Sequence, residues 1–175
     1  MAENTTYVLT NKSNDEDSQL DTFVRLSFDA TTIVATDYVE LDIGSKPRYV
    51  CVENFTDLSK FEWFEGVTVD VAATAIAVNT FYTVKTVGTT DWVALGAPSN
   101  TVGVQFLATA AGTGSSGTGV AVTNDNVCIK TVAAGTRTLV SANSILVRDR
   151  TVQLSQNATT AMILASKNLS VRVSG

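Results

Sequence analysis

From Thr86 to Gly119 the chain reads TVGTTDWVALGAPSNTVGVQFLATAAGTGSSGTG: a few large apolar residues among Gly, Thr, Ser and Ala, with Asp91 the only formal charge. That composition suits a β-rich module whose turns are set by glycine and whose exposed face carries hydroxyls rather than charges. It is poor material for an active site, because it holds no proton carrier, no cationic anchor and no cluster of metal ligands. The segment is expected to be built as a surface.

The whole chain, at 175 residues, has room for one ordinary domain or for a domain carrying a smaller insertion. A domain of this size buries about two-thirds of its unfolded surface, so a real core needs no staples. Hydrophobic residues make up 45% and charged residues 17%, and the mean hydropathy is positive, which argues against disorder. So little charge predicts that a partner covers part of the surface. A net charge of −5 disfavours nucleic acid and anionic membranes, and the 12 Lys and Arg are scattered with no basic stripe. The first residues show no basic start followed by an apolar run, and no apolar segment approaches the roughly 18 residues that span a bilayer. Synthesis in a cytoplasm without the usual export route is the expectation.

Helical periodicity is almost absent, while β-branched residues and short alternations recur. Tyr7 to Thr10 reads as a short strand or extended arm, and Asn11 to Gln19 as a polar loop. Strands are predicted over Phe23–Phe28, within Ile33–Ile43, over Arg48–Asn54, and over Phe61–Phe64 pairing with it. After residue 70 the composition shifts to Thr, Gly, Ala and Val, and charged residues resume their earlier density at Asp125. Further strands are predicted at Ile129–Val132, Thr138–Val140, Ile145–Val147, Val152–Leu154 and Leu169–Val173. TTAMILAS could instead form a helical turn. The expected fold is all-β: a β-sandwich or jelly-roll-like core from residues 21–70 and 126–175, an arm at 1–20, and a nested β-rich module at 71–125.

Histidine is absent from the sequence, which removes the commonest proton carrier and every Ser-His or Cys-His arrangement. Glu62 and Glu65 are the nearest pair of carboxylates for glycoside hydrolysis. Three apart on a strand, they face opposite sides and read as solvated residues. Asp15, Glu16 and Asp17 lack the spacing of a calcium loop. GTGSSGTG lacks the Lys and Ser/Thr of a phosphate loop and reads as a turn or flexible tip. Cys51 and Cys128 lie in apolar strand-like runs without a CxxC, so buried free thiols are favoured over a disulfide and zinc is not expected. Asn-x-Ser/Thr triplets at Asn4, Asn54, Asn157 and Asn168 are what a Thr- and Ser-rich chain produces by chance. Neither a catalytic residue nor a metal or cofactor site is expected. Trp92 and Phe106 either fill the small core of the module, seat in a neighbouring subunit, or stack on a sugar ring. With Tyr7 and Leu9 of the arm, they are the candidate partner contacts.

Two sets of residues carry a family likeness. EWFEGVTVD, then IKTVAAGTRTLVSANSILVRDR and the ending ILASKNLSVRVSG, resemble small structural proteins of tailed bacteriophages. In such relatives the counterparts of Glu62–Gly66 and of Ile129–Thr136 can lie close together, so the stretch between them here reads as an insertion. That stretch resembles a mobile module of phage virion proteins through Tyr82, Gly88, Thr89, Thr90, Asp91, Trp92, Gly96, Asn100, Gly103 and Phe106. Residues 1–44 carry no such likeness. The resemblance implies a non-enzymatic capsid decoration or cement protein, made in the host cytoplasm and resident on the virion. Its implied partners are the major capsid protein and further copies of itself, a trimer by analogy with shell geometry, with the arm adding a strand to a neighbour. A tail, neck or baseplate component is the alternative, and a host-glycan-binding module using Trp92 and the hydroxyl-rich tips is a third.

Overall fold

The period-two alternation of the sequence becomes strand almost wherever it occurs. A computed structural model describes residues 7–14 as strand backbone and residues 21–34, 36–155 and 162–175 with their side chains. The first strands are β1 (Tyr7–Asn14), β2 (Asp21–Phe28), β3 (Tyr38–Asp42), β4 (Tyr49–Asn54) and β5 (Ser59–Phe64). Next come β6 (Val69–Ala72), β7 (Phe81–Thr86), β8 (Gln105–Leu107) and β9 (Val120–Thr123), with 3-10 turns at Ala73–Ala75 and Val93–Leu95. The last are β10 (Cys128–Thr131), β11 (Arg137–Val140), β12 (Ile145–Val147), β13 (Thr151–Ser155) and β14 (Asn168–Ser174). The chain divides into two compact units, one from Met1–Val67 with Asn126–Gly175 and one from Thr68–Asp125.

The first unit holds an antiparallel sheet in the order β1-β2-β14-β4-β5-β10-β11 and a smaller one in the order β12-β13-β3. In the large sheet Val24, Leu26 and Phe28 alternate inward from β2, Leu169, Val171 and Val173 from β14, Val50 and Val52 from β4, and Phe61 and Trp63 from β5. Register places Val171 between Val24 and Val52, so the apolar residues form continuous rows across the strands. The small sheet buries Val39, Leu41, Ile145, Val152 and Leu154 in the same alternating way. The all-β, sandwich-like class expected from the sequence is what forms. The strand orders do not by themselves specify a jelly roll.

Two local expectations are corrected. Asn11–Asn14 continues β1 instead of looping, its register on β2 shifting between Leu9 and Asn11. The strand expected within Ile33–Ile43 is Tyr38–Asp42 among the described residues. The described part of TTAMILAS is irregular rather than helical, and Met162 and Ile163 are fully buried there. Both cysteines are free and buried.

The β4–β5 hairpin is closed by a residue whose sequence context suggested only a chance triplet. Asn54 is 1% exposed. Its side-chain oxygen accepts the amides of Thr56 at 2.9 Å and Asp57 at 3.0 Å, and its amide nitrogen donates to Asp57 at 3.0 Å. That is Asx-turn chemistry. Leu58 completes the turn at φ 52°, a left-handed conformation that a branched side chain adopts at a cost, and it is 72% exposed. Leu58→Gly is therefore expected to stabilise the chain by about 0.5–1 kcal/mol, seen as a rise in Tm of roughly 1–4 °C. A fall in Tm would mean that the exposed leucine makes contacts worth more than its backbone strain.

The second unit is one four-stranded antiparallel sheet, β6-β9-β7-β8, closed over a core of its own. Trp92 stands edge-on to Phe106 at 6.0 Å, and Phe106 meets Tyr82 at 5.9 Å. Ala73, Ile76, Val84, Leu95, Ala97, Ala108 and Ala121 fill the space around the rings. Its first and last strands pair from Val69↔Thr123 onward, so the unit begins and ends at one place. Asp125 is buried and accepts the Phe81 amide at 2.8 Å.

Candidate functional site

The motif residues of the inserted unit are spent on folding. The Asp91 carboxylate accepts the amides of Val93 (3.2 Å) and Ala94 (3.4 Å) and the side-chain amide of Asn100 (3.2 Å), whose oxygen accepts Val93 N–H in turn. Thr89 and Thr118 each donate a backbone amide to the other's hydroxyl at 3.2 Å, and Thr90 Oγ1 accepts Gly119 N–H at 2.8 Å. Gly96 sits at φ 111°, where its N–H reaches Val93 O at 3.0 Å and its bare Cα faces Leu107 O. The glycine-rich run GTGSSGTG likewise uses its amides internally: Gly112 donates to Ile76 O, Thr113 to Ser116 Oγ, and Ser116 to Thr113 O. It is a packed turn, not a cradle for phosphate.

This arrangement withdraws two candidate contacts. Trp92 is 0% and Phe106 5% exposed, so both rings belong to the core of the unit and offer no surface to a subunit or a sugar. The apolar ring demanded burial more strongly than the Gly- and Thr-rich context suggested. Tyr7 and Leu9 lie in β1, opposite Phe28 and Leu26 of β2; their side chains lie outside the described residues. The backbone of residues 7–14 is thus a strand of its own sheet, while the rest of the proposed arm, with Asp15, Glu16 and Asp17, lies outside the described residues.

Side chains with chemical character gather elsewhere, on the outer face of the large sheet. Alternation sends Phe23, Tyr49, Cys51, Glu53, Lys60, Glu62, Ser170 and Arg172 outward. Register sets Phe23 beside Arg172, Arg172 beside Cys51, and Cys51 beside Glu62. Seven of these residues, all but Glu62, line a recess of about 260 Å³. Along one wall the Arg172 guanidinium lies 5.4 Å from the Phe23 ring centroid and 2.8 Å from Asp21. The Ser174 hydroxyl also bonds Asp21; these two bonds hold its carboxyl below the ordinary aspartate range.

On the other wall Glu62 gathers three donors: Lys60 Nζ at 2.8 Å, Tyr49 OH at 2.9 Å and Arg137 at 3.4 Å. The Lys60 bond does most to hold Glu62 below its usual value, and Glu62 in return raises Lys60. Tyr49 is pushed up, first by burial and then by donating to Glu62, so its phenol stays protonated. Burial also raises the Cys51 thiol and pushes Cys128 up to about 11, which keeps both as poor nucleophiles near neutrality. Glu65 is held separately by Arg48 at 3.2 Å and Lys46 at 3.4 Å. The two glutamates thus have different partners and do not share a site. Among the described residues no cluster of three or more Cys, Asp or Glu is placed to hold a metal ion.

The recess escaped sequence reasoning because it joins four strands that are distant in the chain. Each strand shows its alternation locally, but which outward residues become neighbours depends on knowing that β14 lies between β2 and β4. Comparison with protein-family models, with curated proteins and with solved structures finds no match.

Proposed function

We propose that the chain is a non-enzymatic structural protein of a tailed-phage virion, a decoration or cement protein that binds the major capsid protein and stabilises the assembled head. One observation carries this reading. EWFEG and IKTVAAGT, two of the segments with the phage likeness, are far apart in sequence yet begin on β5 and β10. These pair directly, Glu62 with Ile129 and Phe61 with Lys130. The intervening stretch is a compact unit of its own. This arrangement supports the reading in which a hairpin of a parent architecture received a whole module between two adjacent strands. The polar, ion-paired outer sheet face and the packing use of every module motif agree with a protein that works through contact area. Residence on the capsid surface as a symmetric oligomer, a trimer by analogy, belongs to the same proposal. So does stabilisation by mass action on the assembled shell.

Quantitative mass spectrometry of purified particles tests it. A copy number near that of the shell subunit, or a simple large fraction of it, is the expected result. A few copies per particle would move the chain to the tail, neck or baseplate, and absence from particles would end the structural reading.

A further inference from the structure

We propose that the recess on the outer face of the large sheet is a binding site for one uncharged pyranose unit of a surface carbohydrate. This inference stands apart from the virion proposal and rests on the recess alone. Phe23 is 46% exposed with Arg172 over one side of its ring, an aromatic residue on a face otherwise made mostly of charged and hydroxyl-bearing side chains. An apolar ring flanked by hydrogen-bonding groups matches a pyranose, which has C–H bonds on its faces and hydroxyls round its rim.

Arg172 already bonds Asp21, and Lys60 already bonds Glu62, each at 2.8 Å, so both charges are largely offset and an anion gains less here than beside an unpaired cation. Glu53, across the strands from Lys60 and Ser170, is the lining carboxylate without a hydrogen-bonding partner among the described residues. It is free to accept from ligand hydroxyls. Ser170 can donate or accept, and the remaining N–H groups of Arg172 and Lys60 can donate. A volume of about 260 Å³ lies just under the roughly 300 Å³ at which drug-sized pockets begin, which suits a single ring with its neighbours outside. Cys51 floors the recess with a small side chain and takes no part in binding.

The test is a titration of the purified full chain with methyl glucoside, galactoside, mannoside and N-acetylglucosaminide, followed by two-dimensional amide NMR, with sodium phosphate at matched ionic strength beside them. Saturable shifts at the Phe23, Cys51 and Ser170 amides with at least one glycoside are expected, with Kd in the millimolar range of a single weak contact set. Phe23→Ala and the isosteric Glu53→Gln should each weaken that binding by about tenfold. Phe23 is too exposed for its loss to unfold the sheet, and Glu53→Gln keeps the shape. No saturable shift with any glycoside would overturn the proposal. So would an unchanged titration in Phe23→Ala, or phosphate binding the same amides more tightly than every sugar. None of these outcomes bears on copy number in particles, which judges the virion reading separately.

Discussion

Trp92→Ala is expected to destabilise the inserted unit selectively while the large sheet keeps its structure. Trp92 is fully buried, edge-on to Phe106, and sits at the centre of a core otherwise built mainly of Ala, Val, Ile and Leu. Removing a buried tryptophan costs about 3–5 kcal/mol through lost transfer energy and an unfilled cavity. At roughly 0.05–0.15 kcal/mol per residue, a unit spanning residues 68–125 has only about 3–9 kcal/mol to lose. One correction lowers the cost: Trp92 Nε1 is buried with no hydrogen-bond partner among the described residues, and deleting an unsatisfied donor returns about 1–3 kcal/mol. The net loss still takes a large share of the unit's stability. Trp92→Phe, which keeps a ring and discards the orphan donor, should cost less than about 2 kcal/mol. Amide exchange reads the outcome strand by strand. Protection should fall in β7, β8 and β9 and persist in β4, β5 and β14. Intact protection in β7–β9 would show that the unit does not depend on its tryptophan, and joint loss in both units would show that they unfold as one.

How much of this was legible in the sequence follows from the range of the interactions. The C-terminal strand was plain, because Leu169, Val171 and Val173 alternate with Ser170, Arg172 and Ser174 and the period of a strand is local. The change after residue 70 from charged to Thr- and Gly-rich composition is likewise local and needs no partner to be seen; the compact unit itself begins at Thr68. The role of Trp92 was only half legible. Sequence places a large ring among small residues but does not say which side of the sheet it meets, and Tyr82, Leu95 and Phe106 settle that only once β7 and β8 pair. The turn role of Asn54 was not legible, because its burial and its bonds to the hairpin are tertiary. The recess was illegible altogether: Phe23, Cys51 and Arg172 become neighbours through the insertion of the last strand between β2 and β4. Such an arrangement leaves no local period to detect.

Gly112→Ala and Gly114→Ala, two residues apart in one glycine-rich run, are expected to behave oppositely. A Cβ on Gly112 would stand 2.0 Å from Ala73 O, with Thr74 C and Ile76 N both at 2.8 Å. All three are backbone atoms of the turn at Ala73–Ala75 and its exit, so no flexible side chain can swing aside. The same turn is held by Gly112 N–H donating to Ile76 O at 2.9 Å, and separating the segments enough to admit a methyl breaks that bond. Overpacking typically costs about 1–3 kcal/mol, and a rigid clash this deep belongs at or beyond the upper end. Gly114 has no atom within 4 Å of its would-be Cβ and no left-handed φ, so its replacement should change stability by less than about 0.5 kcal/mol. Thermal unfolding of the two variants, with amide exchange at β6 and β9, makes the comparison. The contrast matters for what the run is. If Gly112→Ala is as harmless as Gly114→Ala, the run is a slack connector and its glycines are there for flexibility. If only Gly112→Ala unfolds the unit, the run is a packed wall of the module, and the glycine there is kept because backbone must touch backbone.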